Sequence, residues 1–326
     1  MQGEWKHKIL NVTGPGFENL ALELFQFQYK ENPVYRAYVN ALQVNPDSVK
    51  SLDKIPFLPI LFFKSHEIKT TEFIPETIFE SSGTTGGVNS KHFIKDKGWY
   101  QEIFMDVFEK FYGMPDEYCI LGLLPSYLDR NNSSLVLMVN SLVKKSNHLQ
   151  SGFYLNEYEK LFTVLSGLEK QGQKTLLIGV TFGLLDFAEK YSLQLKNTLI
   201  METGGMKGRR EEMIREDVHA ILKNAFTVPF IHSEYGMTEL LSQAYSNGNG
   251  IFKTPSWMKV LVRDDEDPLV IKQSGSGLIN IIDLANIYSC CFIATDDIGK
   301  INADGSFEVL GRMDDSDLRG CSLLAV

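Results

Sequence analysis

Short apolar runs at residues 118–124, 175–180, 198–201 and 226–231 alternate along the chain with amphipathic stretches at residues 17–30, 98–112, 133–144, 157–171 and 207–223. Apolar runs of this length predict strands buried on both faces, and the longer stretches carry the 3.6-residue period of helices. Strands that alternate with helices form a mostly parallel sheet with helices on both sides, so the sequence predicts an α/β fold. The pattern changes at the acidic segment Arg263-Asp264-Asp265-Glu266-Asp267-Pro268. Beyond it, short strands are expected at residues 269–272, 277–283, 289–294 and 306–310, separated by turns such as Ala303-Asp304-Gly305. We therefore expect an α/β body over residues 1–262 and a small β-rich subdomain with a tail over residues 263–326.

With 326 residues and 44% hydrophobic content, the chain can bury a large core. A net charge of −9 argues against a nucleic-acid partner. The basic run Lys207-Gly208-Arg209-Arg210 is answered at once by Glu211, Glu212, Glu216 and Asp217, which suits a solvated helix face. The amino terminus has no signal-peptide core, and the longest apolar stretch, residues 176–187, is too short to span a bilayer and contains Thr181 and Asp186. A soluble cytoplasmic protein is the expectation. Cys119, Cys290, Cys291 and Cys321 have no metal-ligand spacing, and Cys290 and Cys291 fall in an apolar stretch read as a core strand.

After the strand-like residues 76–80 comes Ser81-Ser82-Gly83-Thr84-Thr85-Gly86. Small residues let backbone N–H groups approach an anion, and the hydroxyls add donors, so this segment suits a polyphosphate. It is not a Walker A loop, because no lysine follows the last glycine. A second motif, Tyr235-Gly236-Met237-Thr238-Glu239, follows the apolar run at 226–231.

The pair of motifs resembles the adenylate-forming superfamily of acyl-CoA synthetases, adenylation domains and luciferases. Two further segments appear in the order found in that superfamily: Gly204-Gly205-Met206, and Thr295-Asp296-Asp297 followed by Gly311-Arg312-Met313-Asp314. The resemblance implies the large-domain fold of that superfamily, with ATP and Mg²⁺. It places Ser81, Ser82, Gly83, Thr84, Thr85 and Gly86 at the β- and γ-phosphates. Gly204, Gly205 and Met206 would lie along the adenine, with Tyr235 stacked on it beside Gly236. Thr238 would meet the α-phosphate, Glu239 the metal, and Asp297 and Arg312 the ribose. An ionised aspartate suits paired hydroxyls as an acceptor.

Taken singly, each residue has a plainer reading: Tyr235 a core aromatic, Glu239 a first-turn carboxylate, Asp297 a turn residue, Arg312 a surface ion pair. The shared order favours the nucleotide site. In the relatives a lysine follows the loop glycine closely, whereas here Gly87-Val88-Asn89-Ser90 precedes Lys91. The usual mobile carboxyl-terminal domain, which carries the lysine of the adenylation step, is expected to be missing.

The last residues, Leu310-Gly311-Arg312-Met313-Asp314 through Leu318-Arg319-Gly320-Cys321, are similar to the carboxyl terminus of the acyl-protein synthetase family of bacterial bioluminescence. That resemblance implies activation of a fatty acid as acyl-AMP, transfer of the acyl group to Cys321, and delivery to a reductase. Chemically, a thiolate attacks an acyl-adenylate readily, and the neighbouring Arg319 favours the thiolate. Two alternatives stay open: a ligase of the phenylacetate-CoA type that acylates coenzyme A or a carrier protein, and a non-catalytic nucleotide- or acyl-binding module. Fatty and aryl acids are equally compatible with the apolar candidates around residues 127–132 and 182–185.

Overall fold

The computed structural model describes residues 2–81, 88–124, 132–154, 157–204 and 213–313. In chain order the strands are β1 (Leu58–Pro59), β2 (Thr77–Glu80), β3 (Lys91–Ile94), β4 (Cys119–Leu123), β5 (Gly152–Phe153), β6 (Thr175–Gly179), β7 (Thr198–Glu202), β8 (His232–Tyr235), β9 (Ala244–Ser246), β10 (Ile251–Lys253), β11 (Met258–Arg263), β12 (Ile271–Lys272), β13 (Gly275–Asp283), β14 (Phe292–Ile301) and β15 (Phe307–Arg312). Among the described residues, thirteen strands join one sheet in the order β12-β11-β13-β14-β15-β10-β9-β8-β7-β6-β4-β5, with β1 paired to β14; β2 and β3 form a separate hairpin. The run from β5 through β4, β6 and β7 to β8 is parallel, and from β8 onward the pairing becomes antiparallel. Ligands of open α/β sheets gather at the carboxyl ends of parallel strands where the topology switches, and here that place is the end of β7 and β8.

Residues of β4 and β6 alternate between two cores, as the two-residue strand period requires. Ile120, Leu176 and Ile178 face helices Lys97–Tyr112 and Ser134–Ser146, through Trp99, Ile103, Phe104, Met138 and Leu142. Cys119, Leu121, Leu123 and Leu177 face helices Tyr158–Gln171, Thr181–Lys190 and Arg215–Phe226, through Leu161, Leu165, Leu184, Leu222 and Phe226. Each fully buried leucine or phenylalanine contributes about 1.5–3 kcal/mol, so two such layers fix the parallel half firmly. Helix Lys97–Tyr112 starts at Asp96, whose carboxylate accepts from the Trp99 N–H at 2.9 Å and pairs with Lys6 at 2.6 Å. Asp96 thus caps the exposed N–H groups of the first turn.

The helices expected at residues 17–30, 98–112, 133–144 and 157–171 are present as Gly14–Glu31, Lys97–Tyr112, Ser134–Ser146 and Tyr158–Gln171. Three expectations are corrected. Residues 226–231 are not a strand: Phe226 ends a helix, Thr227 takes a left-handed φ of 53° as its cap, and Pro229 has no N–H for a ladder. The strand is His232–Tyr235, directly on the Tyr235 motif. Strand β14 starts at Phe292, so Cys290 and Cys291 precede it, although both are fully buried core as expected. Residues 181–190 form a helix absent from the sequence reading, because the mostly apolar stretch 176–187 runs from β6 into that helix with Thr181 the single polar residue at the junction. The helix expected from residue 207 is described from Arg215 to Phe226. Among the described residues no helix is long and apolar enough to cross a membrane.

Candidate active site

Hairpin β2–β3 carries the hydroxyl-rich segment between its strands, with Glu80 opposite Lys91. Its neck is closed by Ser81 and Ser90: the Ser81 N–H donates to the Ser90 carbonyl at 3.1 Å, and the Ser90 N–H donates to Ser81 Oγ at 2.9 Å. Ser81 therefore shapes the base of the loop with its hydroxyl already engaged as an acceptor. Ser82, Gly83, Thr84, Thr85 and Gly86 lie outside the described residues.

At the end of β8, Tyr235 is enclosed edge-on by Phe252 and Phe307, and its hydroxyl donates to Asp297 Oδ2 at 2.7 Å. Burial, with the Asp297 charge beside it, pushes the Tyr235 hydroxyl well above its ordinary pKa, so it stays a proton donor. Asp297 on β14 is paired in register with Arg312 on β15. The Arg312 guanidinium lies 3.7 Å from Asp296 Oδ2 and is half exposed, which leaves donors for another anion. The sheet thus brings Tyr235, Asp297 and Arg312 together from strands far apart in sequence.

Four residues beyond Tyr235, Glu239 is 5% exposed. Burial raises its carboxyl pKa, while the Ser90 hydroxyl and the Arg312 charge pull it back. The loop that carries Glu239 is held from both sides. On one side, His92 of β3 places Nδ1 2.8 Å from the Thr238 carbonyl and Nε2 3.0 Å from Asn286 Oδ1. On the other, Asn286 Nδ2 donates to the Glu239 carbonyl at 2.8 Å. Asp283, at the end of β13, accepts from the N–H groups of Leu241 and Ser242 at 2.9 Å each and from the Ser242 hydroxyl at 2.7 Å. Burial pulls the His92 pKa down to about 4, so its ring is neutral at pH 7 and carries one N–H; with that proton on Nδ1 it donates to the Thr238 carbonyl, and Nε2 then meets Asn286 Oδ1 as a contact without a proton.

Gly204 follows β7 with a left-handed φ of 69°, a conformation that favours glycine, and its carbonyl accepts from the Thr181 N–H at 3.0 Å. Gly205 and Met206 lie outside the described residues. Beneath this turn Glu202 is buried. Burial opposes its ionisation, but His219, Arg215 and the Thr181 hydroxyl overcome that and hold its pKa near 2. Arg215 Nε is 3.5 Å from Glu202 Oε1, and the Ser233 hydroxyl donates to the same oxygen at 3.1 Å. Glu234 is the opposite case: burial and the nearby Glu202 charge push its carboxyl to about 8. A Cβ on Gly236 would collide with Glu234 Oε1, so the glycine lets that carboxyl lie where it does against the backbone.

The structure gathers Tyr235, Gly236, Thr238, Glu239, Asp297 and Arg312 at one end of the sheet, with the Ser81 neck held through Ser90. Cys321 lies outside the described residues. Burial pushes the Cys290 thiol to about 12 and the Cys119 and Cys291 thiols above their ordinary values, so none of these three is an activated nucleophile. Sequence reasoning missed His92, Asn286, Asp283 and Glu202. None has a local signature apart from the Asp283-Leu284-Ala285-Asn286 turn at the end of an expected strand.

The sequence pattern of the acyl-protein synthetase family LuxE matches residues 13–325. This chain belongs to that family. LuxE relatives include a long-chain-fatty-acid–luciferin-component ligase of Aliivibrio fischeri, 23% identical over 94% of this chain and 86% of the relative. The corresponding ligase of Vibrio harveyi is 21% identical over 92% of this chain and 84% of the relative. Among solved structures, ATP-bound MatB from Rhodopseudomonas palustris superposes with a TM-score of 0.55 at 16% identity, over 74% of this chain and 50% of MatB. The chain spans about half the length of that structure. A 2-hydroxyisobutyryl-CoA ligase in complex with 2-HIB-AMP and CoA superposes with a TM-score of 0.62 at 11% identity, over 94% of this chain and 77% of the ligase. At these identities the likeness is one of fold, and it places this LuxE-family enzyme on the adenylate-forming architecture.

Proposed function

We propose that this LuxE-family enzyme uses ATP to activate a long-chain fatty acid as acyl-AMP and passes the acyl group to a thiol, its own Cys321. The observation that carries the reading is the convergence of Tyr235, Asp297, Arg312 and the buried Glu239 at the switch point of the sheet. Asp297 offers an acceptor for ribose hydroxyls, and the half-exposed Arg312 offers donors. Tyr235 holds Asp297 in place and closes the apolar side of the purine position. Glu202 fixes β7 against β8, so the Gly204 turn keeps its backbone beside that position.

Mg²⁺ fits this donor set. Among the described residues no cluster of three or more His, Cys, Asp or Glu could hold a metal alone. Mg²⁺ is commonly held by one or two carboxylates together with substrate phosphates, and Glu239 supplies a buried carboxylate whose charge is poorly compensated by protein. When bound, Mg²⁺ would neutralise phosphate charge during the displacement.

In the first half-reaction a carboxylate oxygen of the acid forms a bond to the α-phosphorus and the bond to the β-phosphate oxygen breaks, releasing pyrophosphate. In the second, the Cys321 thiolate bonds to the acyl carbon, the acyl–oxygen bond breaks and AMP leaves; the thiol proton goes to solvent. That both relatives are long-chain-fatty-acid ligases supports a long-chain acid as substrate, and a reductase is the proposed recipient.

The test is intact-protein mass spectrometry after incubation with a fatty acid, ATP and Mg²⁺, without coenzyme A. Wild type should gain one acyl mass on the tail peptide, labile to hydroxylamine, and Cys321→Ser should lose it while still forming acyl-AMP. In a parallel incubation with coenzyme A added, acyl-CoA formed at equal rates with and without Cys321, together with no protein adduct, would replace self-acylation with a CoA ligase. An adduct on Cys119, Cys290 or Cys291 would move the site.

A further inference from the structure

The residue just before β3 and the second residue of β3 present their side chains to the same loop. Ser90 and His92 lie two apart, so the strand period points both side chains the same way. Ser90 contributes to the Glu239 carboxyl, and His92 binds the Thr238 carbonyl. Ser90 also forms the neck of the hydroxyl-rich segment with Ser81. One short strand therefore joins the neck of the phosphate-loop candidate to the backbone on either side of Glu239.

We propose that His92 and Asn286 are positioning residues that hold the Thr238 and Glu239 carbonyls and so aim the Glu239 carboxylate at the metal and phosphate position. The two side chains bridge two successive carbonyls, those of Thr238 and Glu239, through contacts of 2.8, 3.0 and 2.8 Å. Both are buried, at 1% exposure each, so water does not compete for these bonds. The ring of Phe63 packs edge-on to the imidazole at 6.1 Å, and the cavity beside the pair measures about 10 Å³, no more than one water. Asp283 fixes the next two residues, Leu241 and Ser242. With both sides held, the Glu239 backbone is fixed by His92 and Asn286, while its carboxyl meets the Ser90 hydroxyl.

The inference rests on the assignment of Glu239 to Mg²⁺, and its test separates the two. His92→Gln, His92→Ala and Asn286→Ala are compared with wild type by hydrogen exchange of the backbone over residues 237–242 and by the Mg²⁺ midpoint of pyrophosphate exchange. AMP binding, which uses Tyr235, Asp297 and Arg312, serves as the control. His92→Ala and Asn286→Ala should exchange faster over 237–242 and need about ten- to a hundredfold more Mg²⁺, as is usual when an outer partner of a metal ligand is lost. AMP binding should stay near wild type, and His92→Gln, which keeps an N–H for the Thr238 carbonyl, should recover part of the loss.

Unchanged hydrogen exchange over 237–242 in Asn286→Ala and in a folded His92 variant would overturn the inference, whatever the activity. AMP binding that weakens as much as Mg²⁺ dependence would make the pair a general structural support, which also overturns it. If wild type shows no pyrophosphate exchange at all, the functional reading fails, while the hydrogen-exchange comparison still decides whether the pair holds the loop.

Discussion

The hydroxyl of Tyr235 donates to Asp297 Oδ2 across 2.7 Å, tying the end of β8 to the middle of β14. The ring is edge-on to Phe252 and Phe307, so Tyr235 serves the core and the polar site at once. Tyr235→Phe should therefore weaken AMP binding by about 1.5 kcal/mol, the lower end of the usual contribution of a hydrogen bond to a charged acceptor. Tyr235→Ala should weaken it further and lower the melting temperature. Titration calorimetry with AMP checks both; equal affinity in Tyr235→Phe would remove the hydroxyl from the site's organisation.

Glu239→Gln keeps the shape of the side chain and removes its charge. We expect acid-dependent pyrophosphate exchange to fall by about a hundredfold or more, the scale on which a preorganised electrostatic partner acts. The fold should survive, because burial already works against the charge of this carboxyl. Near-normal exchange in the variant would take Glu239 out of the mechanism.

Glu234 gives stability a slope against pH. Its folded pKa, pushed to about 8, lies above that of an unfolded glutamate, so the native state holds the proton more tightly. Its stabilising contribution is complete below the unfolded pKa and is lost as pH rises through about 8. Glu234→Gln should remove that decline and be more stable than wild type by about 1–3 kcal/mol near pH 8.5, with little difference near pH 5. Denaturant melts at the two pH values decide it; parallel pH profiles would contradict the assignment.

Glu202 carries the opposite sign. Its pKa near 2 lies below the unfolded value, so its contribution is present above about pH 4.5 and is lost as pH falls through 2. At neutral pH, Glu202→Gln should cost about 2–4 kcal/mol, because Arg215 loses its buried partner and the carboxylate 3.7 Å from His219 loses its charge. A variant as stable as wild type in urea would show that the cluster does not hold β7 and β8 together.

The legible part of this protein was local in sequence. The Tyr235-to-Glu239 segment and Gly204 announce themselves as short motifs, and helices such as Lys97–Tyr112 follow from their period. Where a neighbouring element intervened, the reading slipped: Thr227 and Pro229 end a helix inside a run that looks like a strand, moving the strand to His232–Tyr235. His92 and Asn286 were invisible for a different reason. They are 194 positions apart and meet only because hairpin β2–β3 packs against the turn after β13. A buried histidine in an apolar strand has no distinguishing pattern until its acceptors are known.

Acid-dependent exchange of labelled pyrophosphate into ATP tests the adenylate-forming reading most directly, because it needs no acyl acceptor and therefore no assumption about Cys321. Wild type and Cys321→Ser should exchange at similar rates in the presence of a long-chain fatty acid and Mg²⁺, and neither should exchange without the acid. Exchange absent from both proteins across a panel of fatty and aryl acids would contradict the account and leave a nucleotide-binding module in its place.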